Sequence, residues 1–375
     1  MIREAFGLIY SGEEIPNLRE LVDQRAVGAL PIGGKYRVID FPLSNMVNSD
    51  IRSVGVVVSR KYNSLMDHLG SGKAWDLSRK NEGLFILTPF SLRENPGVYR
   101  GKVEAIRSSL DFVRRVRQEY CIIAGASSIY NFDYDEMMRF HIDSNADITV
   151  LYHNVSEGHE VDEQYHDVFL ELSDEGRIKS IEINPSLMAL TARSLKSYIV
   201  RKDILTYLVE DCYSKGEYKF SENLLRNNLG RMRIMAFEHK GYVGMLRSSK
   251  AYFDVSMDLL KPHVRKELFQ GQNRIYTKAK DSVPAKYSKS AKLKQSLVAN
   301  ECIVEGVVEN SILFRGVYIG RGATVKNSII LPGSVVANDA MLEHVILDKN
   351  VSVRSRSRLL GNKYFPVVVG KGGMV

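Results

Sequence analysis

Seven apolar residues recur at six-residue spacing near the end of the chain: Val317, Ala323, Ile329, Val335, Met341, Leu347 and Val353. With 44% apolar residues overall, seven hits in one phase arise by chance about 0.3% of the time. Glycine, asparagine and small residues fill the gaps, as in "YIGRGATVKNS". A six-residue period predicts a β-helix rather than a β-sandwich of short strands. Each short strand covers one side of a triangular coil, and stacked coils share an apolar interior.

The earlier part has a different rhythm. Apolar, β-branched runs occur at 6–11, 53–59, 84–89, 120–126, 147–155 and 167–173. Helix-periodic segments lie between several of them. In 101–118, Val103, Ile106, Leu110 and Val113 share one face. Strand–helix alternation predicts a mostly parallel, doubly wound sheet, with ligands bound at the carboxyl ends of the strands. This part closes on a helix near 249–260. The expected domains are 1–262 (α/β), 263–295 (basic linker) and 296–375 (β-helix). The linker reading rests on residues 278–294, which carry six lysines against one aspartate.

A length of 375 residues accommodates such a division. The net charge of +8 is dispersed, and no nucleic-acid module is recognisable. No nucleic-acid partner is therefore expected, although a basic surface also attracts phosphorylated metabolites or an acidic partner. No apolar run approaches the roughly 18–20 residues that span a bilayer, and the N-terminus does not read as a signal peptide. Scattered Cys121, Cys212 and Cys302 fit reduced thiols, so a cytoplasmic location is expected. Neither the cysteines nor the eight histidines show metal-ligand spacing.

Several motifs together carry a family resemblance. "GGKYRVIDFPLSNMVNSDI" (33–51), "YRGKVEAI" (99–106), "GASSIYNFDY" (125–134), "PAKY" (284–287) and "VENSILFRGVYIGRGATVKNSIILPG" (308–333) follow one another in order. They resemble the bacterial glucose-1-phosphate adenylyltransferases, or ADP-glucose pyrophosphorylases, over nearly the whole chain. The resemblance implies a nucleotidyltransferase-like α/β domain and a C-terminal left-handed parallel β-helix. It also implies the family's chemistry, in which glucose 1-phosphate attacks the α-phosphorus of ATP. That reaction needs a glycine-rich loop with basic side chains and magnesium held by carboxylates.

The departures fall on those needs. Where the family's phosphate loop reads A-G-G-R-G-T-R-L, this chain has Ser11, Gly12, Glu13, Glu14, Ile15, Pro16, Asn17 and Leu18. Two glycines and both arginines are replaced, and two carboxylates appear. Like charges at about 4 Å repel by roughly 4 kcal/mol at an effective dielectric near 20. A phosphate-facing lysine becomes Val27. The two metal aspartates fall on Ser127 and Met245, and the sugar-phosphate lysine on Asn184. The chain thus resembles the family's non-catalytic GlgD-type subunit. Its expected partner is a catalytic homologue in a heterotetramer, with magnesium only in that partner and no cofactor or metal here. The alternative is a divergent active nucleotidyltransferase that uses Glu104 and Asp133.

Other positions carry a structural and a functional reading together. Gly12, Gly33, Gly34, Tyr99, Arg100 and Gly101 are expected remnants of the nucleotide pocket; Gly33 and Gly34 equally fit a turn. Asp40 fits a structural hydrogen bond, and Asp133 fits a helix N-cap. Arg25 aligns with a basic position of the family's effector site, while its neighbour is Gln24. Arg37 and Arg52 are candidates to add charge for a phosphorylated effector. His344, on the coil, is a remote candidate for an acyltransferase base.

Overall fold

A computed structural model describes residues 2–89, 99–156, 166–185 and 190–375. The N-terminal part is built on a nine-stranded sheet. Ala5–Ser11 lies between Tyr120–Gly125 and Ser53–Val58, and Gly83–Leu87 follows Ser53–Val58, all parallel. Beyond Tyr120–Gly125 the sheet turns antiparallel through Ala192–Arg201, which also pairs with Ile148–Asn154. The fold class is therefore as expected, with a mixed second half.

Successive residues of the first strand enter opposite cores. Phe6, Leu8 and Tyr10 join one apolar cluster, and Ala5 and Ile9 join the other. Burial on both faces explains why the strand reads as a continuous apolar run. The periodic segment 101–118 forms two short helices, Lys102–Ser108 and Leu110–Arg115. Its four periodic residues are all buried.

The C-terminal part is a left-handed parallel β-helix. Three five-stranded parallel sheets form its sides. Tyr318 pairs with Val335 and Val335 with Ser352, so these two successive turns take 17 residues each. The strict six-residue series therefore slips. Val317, Ala323, Ile329, Leu347 and Val353 are buried, but Val335 is 39% exposed and Met341 is half-buried. Their neighbours Val336 and Leu342 point inward instead.

The coil begins inside the stretch read as a linker. Lys286–Tyr287 and Lys292–Lys294 are its first strands, paired with Ile303–Val304 and Val307–Glu309. Their lysines face solvent, and Lys294 sits 3.4 Å from Glu309. Pro262–Phe269, also in that stretch, is a helix that buries Val264 and Leu268. A lysine count alone misses strands that are exposed on their outer face.

The third side of the coil docks on the first part. Ile312, Ile329 and Ile346 share one apolar cluster with Leu18, Leu21, Phe253, Leu259 and Leu268. A buried ion pair crosses the same boundary, with Arg25 Nη2 2.8 Å from both carboxylate oxygens of Asp348.

Candidate functional site

The carboxyl ends of the parallel strands open onto a cleft of about 320 Å³. Gly12 and Glu13 reach it from the first strand, Tyr99–Lys102 from the segment before a helix, and Lys196 and Tyr198 from Ala192–Arg201. A groove of about 260 Å³ adjoins it and shares Gly12, Glu13 and Glu14.

Glu13 is at the centre. The Ser127 hydroxyl donates to its carboxylate, and the Lys196 ammonium lies 3.8 Å away. Burial alone would raise its pKa, but Lys196, Lys102 and Ser127 outweigh burial and hold the carboxyl below its ordinary range. Burial, with repulsion from Lys196, pushes Lys102 down to about 8 against the pull of Glu13. Its ammonium lies 5.0–5.6 Å from the ring centroids of Tyr10, Tyr198 and Phe220. Glu14 is exposed at the rim. The loop is thus not purely acidic as its motif reads: Glu13 faces two lysines that lie outside that motif.

Lys196 is held by unusual backbone. Ala192–Arg201 bulges between Ser194 and Ser197, and Lys196 has φ 54°. Non-glycine residues avoid that region unless the surroundings enforce it. The one sequence signal for it is a lone lysine within the run "SLKSYIV".

The two positions that the resemblance matches to metal aspartates come together. A two-stranded ladder pairs Met245 with Ser128, and the Leu246 N–H donates to the Ser127 carbonyl at 2.9 Å. Ser127 is buried and Met245 half-buried. A hydroxyl already bonded to Glu13 and a thioether, beside two ammonium groups, do not fit a hard divalent cation. Among the described residues no three His, Cys, Asp or Glu side chains gather as a metal-ligating group.

Asn184 performs a local task. Its side-chain oxygen accepts from the Asp167 N–H at 2.8 Å, and its own N–H donates to the Asp167 carbonyl. Asp167, fully buried, lies 3.0 Å from Arg247 and 3.7 Å from Arg193. None of these three charged residues was singled out by motif. Val27 is buried and lines the adjoining groove.

The remaining candidates separate. Tyr99, Arg100 and Gly101 line the cleft. The Arg100 guanidinium stacks 3.8 Å over Tyr218 and pairs with Glu104 at 2.6 Å, so Glu104 is already engaged. A Cβ on Gly101 would stand 2.2 Å from the Tyr218 carbonyl oxygen, which excludes any side chain there. Gly33 and Gly34, at φ 59° and 83°, make the turn of a small hairpin, Pro31–Ile32 with Tyr36–Arg37, beside Leu259 and Phe269. They are structural and do not line the cleft. Asp133 caps Tyr134–Asp143 by accepting from the Asp135 N–H. Asp40 accepts from the Arg37 N–H at 2.9 Å and contacts His68 at 2.5 Å. His344, at φ 51°, turns a coil corner against Phe253.

Of the three effector candidates, two converge. Burial, with repulsion from Arg37 and Arg25, lowers the Lys349 pKa to about 8 while Asp348 opposes. Arg25 is 3% exposed, and Arg37 donates to Ser64. Arg52 is not part of this group; it pairs with Asp50, which also takes Arg3.

Comparison with known proteins gives this geometry its family. Residues 7–261 match the nucleotidyl transferase family model, and residues 279–362 match a GlmU-like C-terminal hexapeptide model. The chain belongs to the nucleotidyl transferase family. It is homologous to glucose-1-phosphate adenylyltransferases and GlgD proteins. It is 34% identical to the glycogen biosynthesis protein GlgD of Bacillus subtilis, over 95% of this chain and 92% of that protein. It is also 34% identical to the glucose-1-phosphate adenylyltransferase of Clostridium perfringens (strain 13), over 89% of this chain and 85% of that one. Identity is the same for both names and does not separate a GlgD protein from an adenylyltransferase. Among the described residues no helix is long and apolar enough to cross a membrane.

Proposed function

We propose that this chain is a non-catalytic regulatory subunit of a glucose-1-phosphate adenylyltransferase, acting with a catalytic homologue in ADP-glucose synthesis for glycogen. One observation carries the reading. Ser127 and Met245 stand together where the family resemblance expects magnesium carboxylates, and Ser127 is tied to Glu13. Magnesium then belongs to the partner alone, and the pair forms a heterotetramer in the cytoplasm. Regulation passes through the shared interface as a coupling of about 1–3 kcal/mol, or roughly 5–150-fold. Arg25, Arg37 and Lys349 supply positive charge for a phosphorylated effector where the coil meets the first part.

The test measures ADP-glucose formation by this chain, by its catalytic homologue, and by their mixture. The expected result is no turnover from this chain and a changed rate or effector response in the mixture. Turnover by the pure chain at an ordinary enzymatic rate with magnesium would overturn the proposal. One observation favours a second reading, an active but divergent transferase: Lys102 and Lys196 restore positive charge near the lost loop arginines. Micromolar binding of ATP with magnesium, measured by calorimetry, would favour it.

A further inference from the structure

Glu13 enters the sequence as an acid in a phosphate loop, yet it has the surroundings of a bound ligand. A hydroxyl donor, Ser127, and an ammonium, Lys196, converge on its carboxylate. A second ammonium, Lys102, lines the same cleft and attracts it as well. Two cations and a hydroxyl form a recognition set for a dianionic tetrahedral group, since a phosphate monoester carries about −1.5 to −2 charge. A single carboxylate fills that set only in part.

We propose that Glu13 is an internal counter-anion, taking the place of a ligand's phosphate between Lys102 and Lys196 and keeping a latent phosphate subsite closed. Three further observations support it. Lys196 keeps its ammonium on Glu13 at the cost of a left-handed backbone and a bulged strand. The Lys102 ammonium stays fixed among three rings, with its contact to the Lys196 carbonyl at 3.5 Å. Glu13 lines both the cleft and the adjoining groove, so it stands where the two meet. The ligand class is a small phosphate: inorganic phosphate or the phosphate of a sugar monoester.

The inference rests on the proposed non-catalytic reading of this cleft, but the two fail separately. Calorimetry on the full chain compares wild type with Glu13→Gln, using inorganic phosphate and glucose 1-phosphate as two probes. The expected result is at least tenfold tighter binding of phosphate by Glu13→Gln, a gain that Lys102→Met abolishes when added. Equal gains for both probes identify the phosphate as the group recognised. A larger gain for glucose 1-phosphate adds contacts from the sugar; either outcome supports the subsite. Equal affinity in wild type and variant overturns it, and so does a gain that survives Lys102→Met, because that gain would arise elsewhere. Glu13→Ala, which also vacates the volume, is measured in parallel should the glutamine variant fail to fold. ADP-glucose formation by wild type would sink the regulatory reading without altering this comparison.

Discussion

Ser127 shows how one residue decides what repair is possible. Its hydroxyl donates to Glu13, so Ser127→Asp would set one carboxylate against another. At about 4 Å that repulsion is roughly 4 kcal/mol at an effective dielectric near 20. The double variant Ser127→Asp, Met245→Asp is therefore expected to form no ADP-glucose above background, although it restores both metal positions. Turnover in a radiolabel assay would show that the loop is less hostile than its charges indicate. His141 gives a pH prediction of its own. Burial lowers its pKa to about 4, against the pull of Asp147, and its Nδ1 lies 2.7 Å from the Thr149 hydroxyl. The unfolded imidazole takes its proton near pH 6.5, the folded one near 4. Stability from this group is present above 6.5 and is lost as pH falls toward 4, by about 2–3 kcal/mol. His141→Gln should flatten that part of the stability profile, as read by denaturant midpoints at pH 7, 5.5 and 4.5. Departures from the family's motifs are legible in sequence because a motif aligns residue against residue. The contact between Lys196 and Glu13 is not. Lys196 meets Glu13 across a separation of 183 residues, and only the folded sheet brings them together.

Elements were legible where one physical signal dominated. Six apolar runs lie on or overlap strands of the large sheet, and the coil announced itself by periodicity. Ala192–Arg201 was missed, although it is ten residues long and central to the antiparallel half. Arg193 and Lys196 interrupt its apolar pattern, because Lys196 carries charge into the cleft and Arg193 faces the buried Asp167. The coil's phase was missed for a different reason. A turn of 17 residues makes one side a residue short, and the chain closes the corner with left-handed backbone. Asn310, Asn327 and His344 occupy that corner on successive turns with φ of 44°, 44° and 51°. The Asn310 amide donates to the Asn327 side-chain oxygen at 2.7 Å, one rung of a ladder. Asparagine tolerates this conformation better than most side chains. Asn327→Ala should then cost about 1–2 kcal/mol through strain and the lost rung. Asn327→Gly should cost less, since it removes the rung but relieves the strain. Chemical denaturation of both variants checks the order, and an equal loss would show that the ladder alone matters.

Across the whole molecule, the two parts are fastened by apolar packing and by one buried charge pair. Ile312, Ile329 and Ile346 cover the seam, and Arg25 reaches Asp348 with side chains only 3% and 1% exposed. Such a pair contributes little relative to a well-packed apolar replacement, because both ions lose their water. Breaking it from one side is another matter, since the survivor stays buried without its main partner. Arg25→Met should destabilise the chain by about 3–5 kcal/mol. Adding Asp348→Leu should recover most of that loss, leaving the double variant within about 1–2 kcal/mol of wild type. Denaturant unfolding followed by circular dichroism reads all three proteins, and the coupling comes from the mutant cycle. A single variant as stable as wild type would mean that water reaches Asp348 and that the seam is held by apolar contact alone. Function adds a second readout at the same place. If Arg25, Arg37 and Lys349 receive a phosphorylated effector, the double variant keeps the fold but loses one of the three charges. Mixed with its catalytic homologue, it should then form ADP-glucose at a rate that no longer responds fully to effector. A full response would separate the seam from the sensing of anions and assign the pair to stability only.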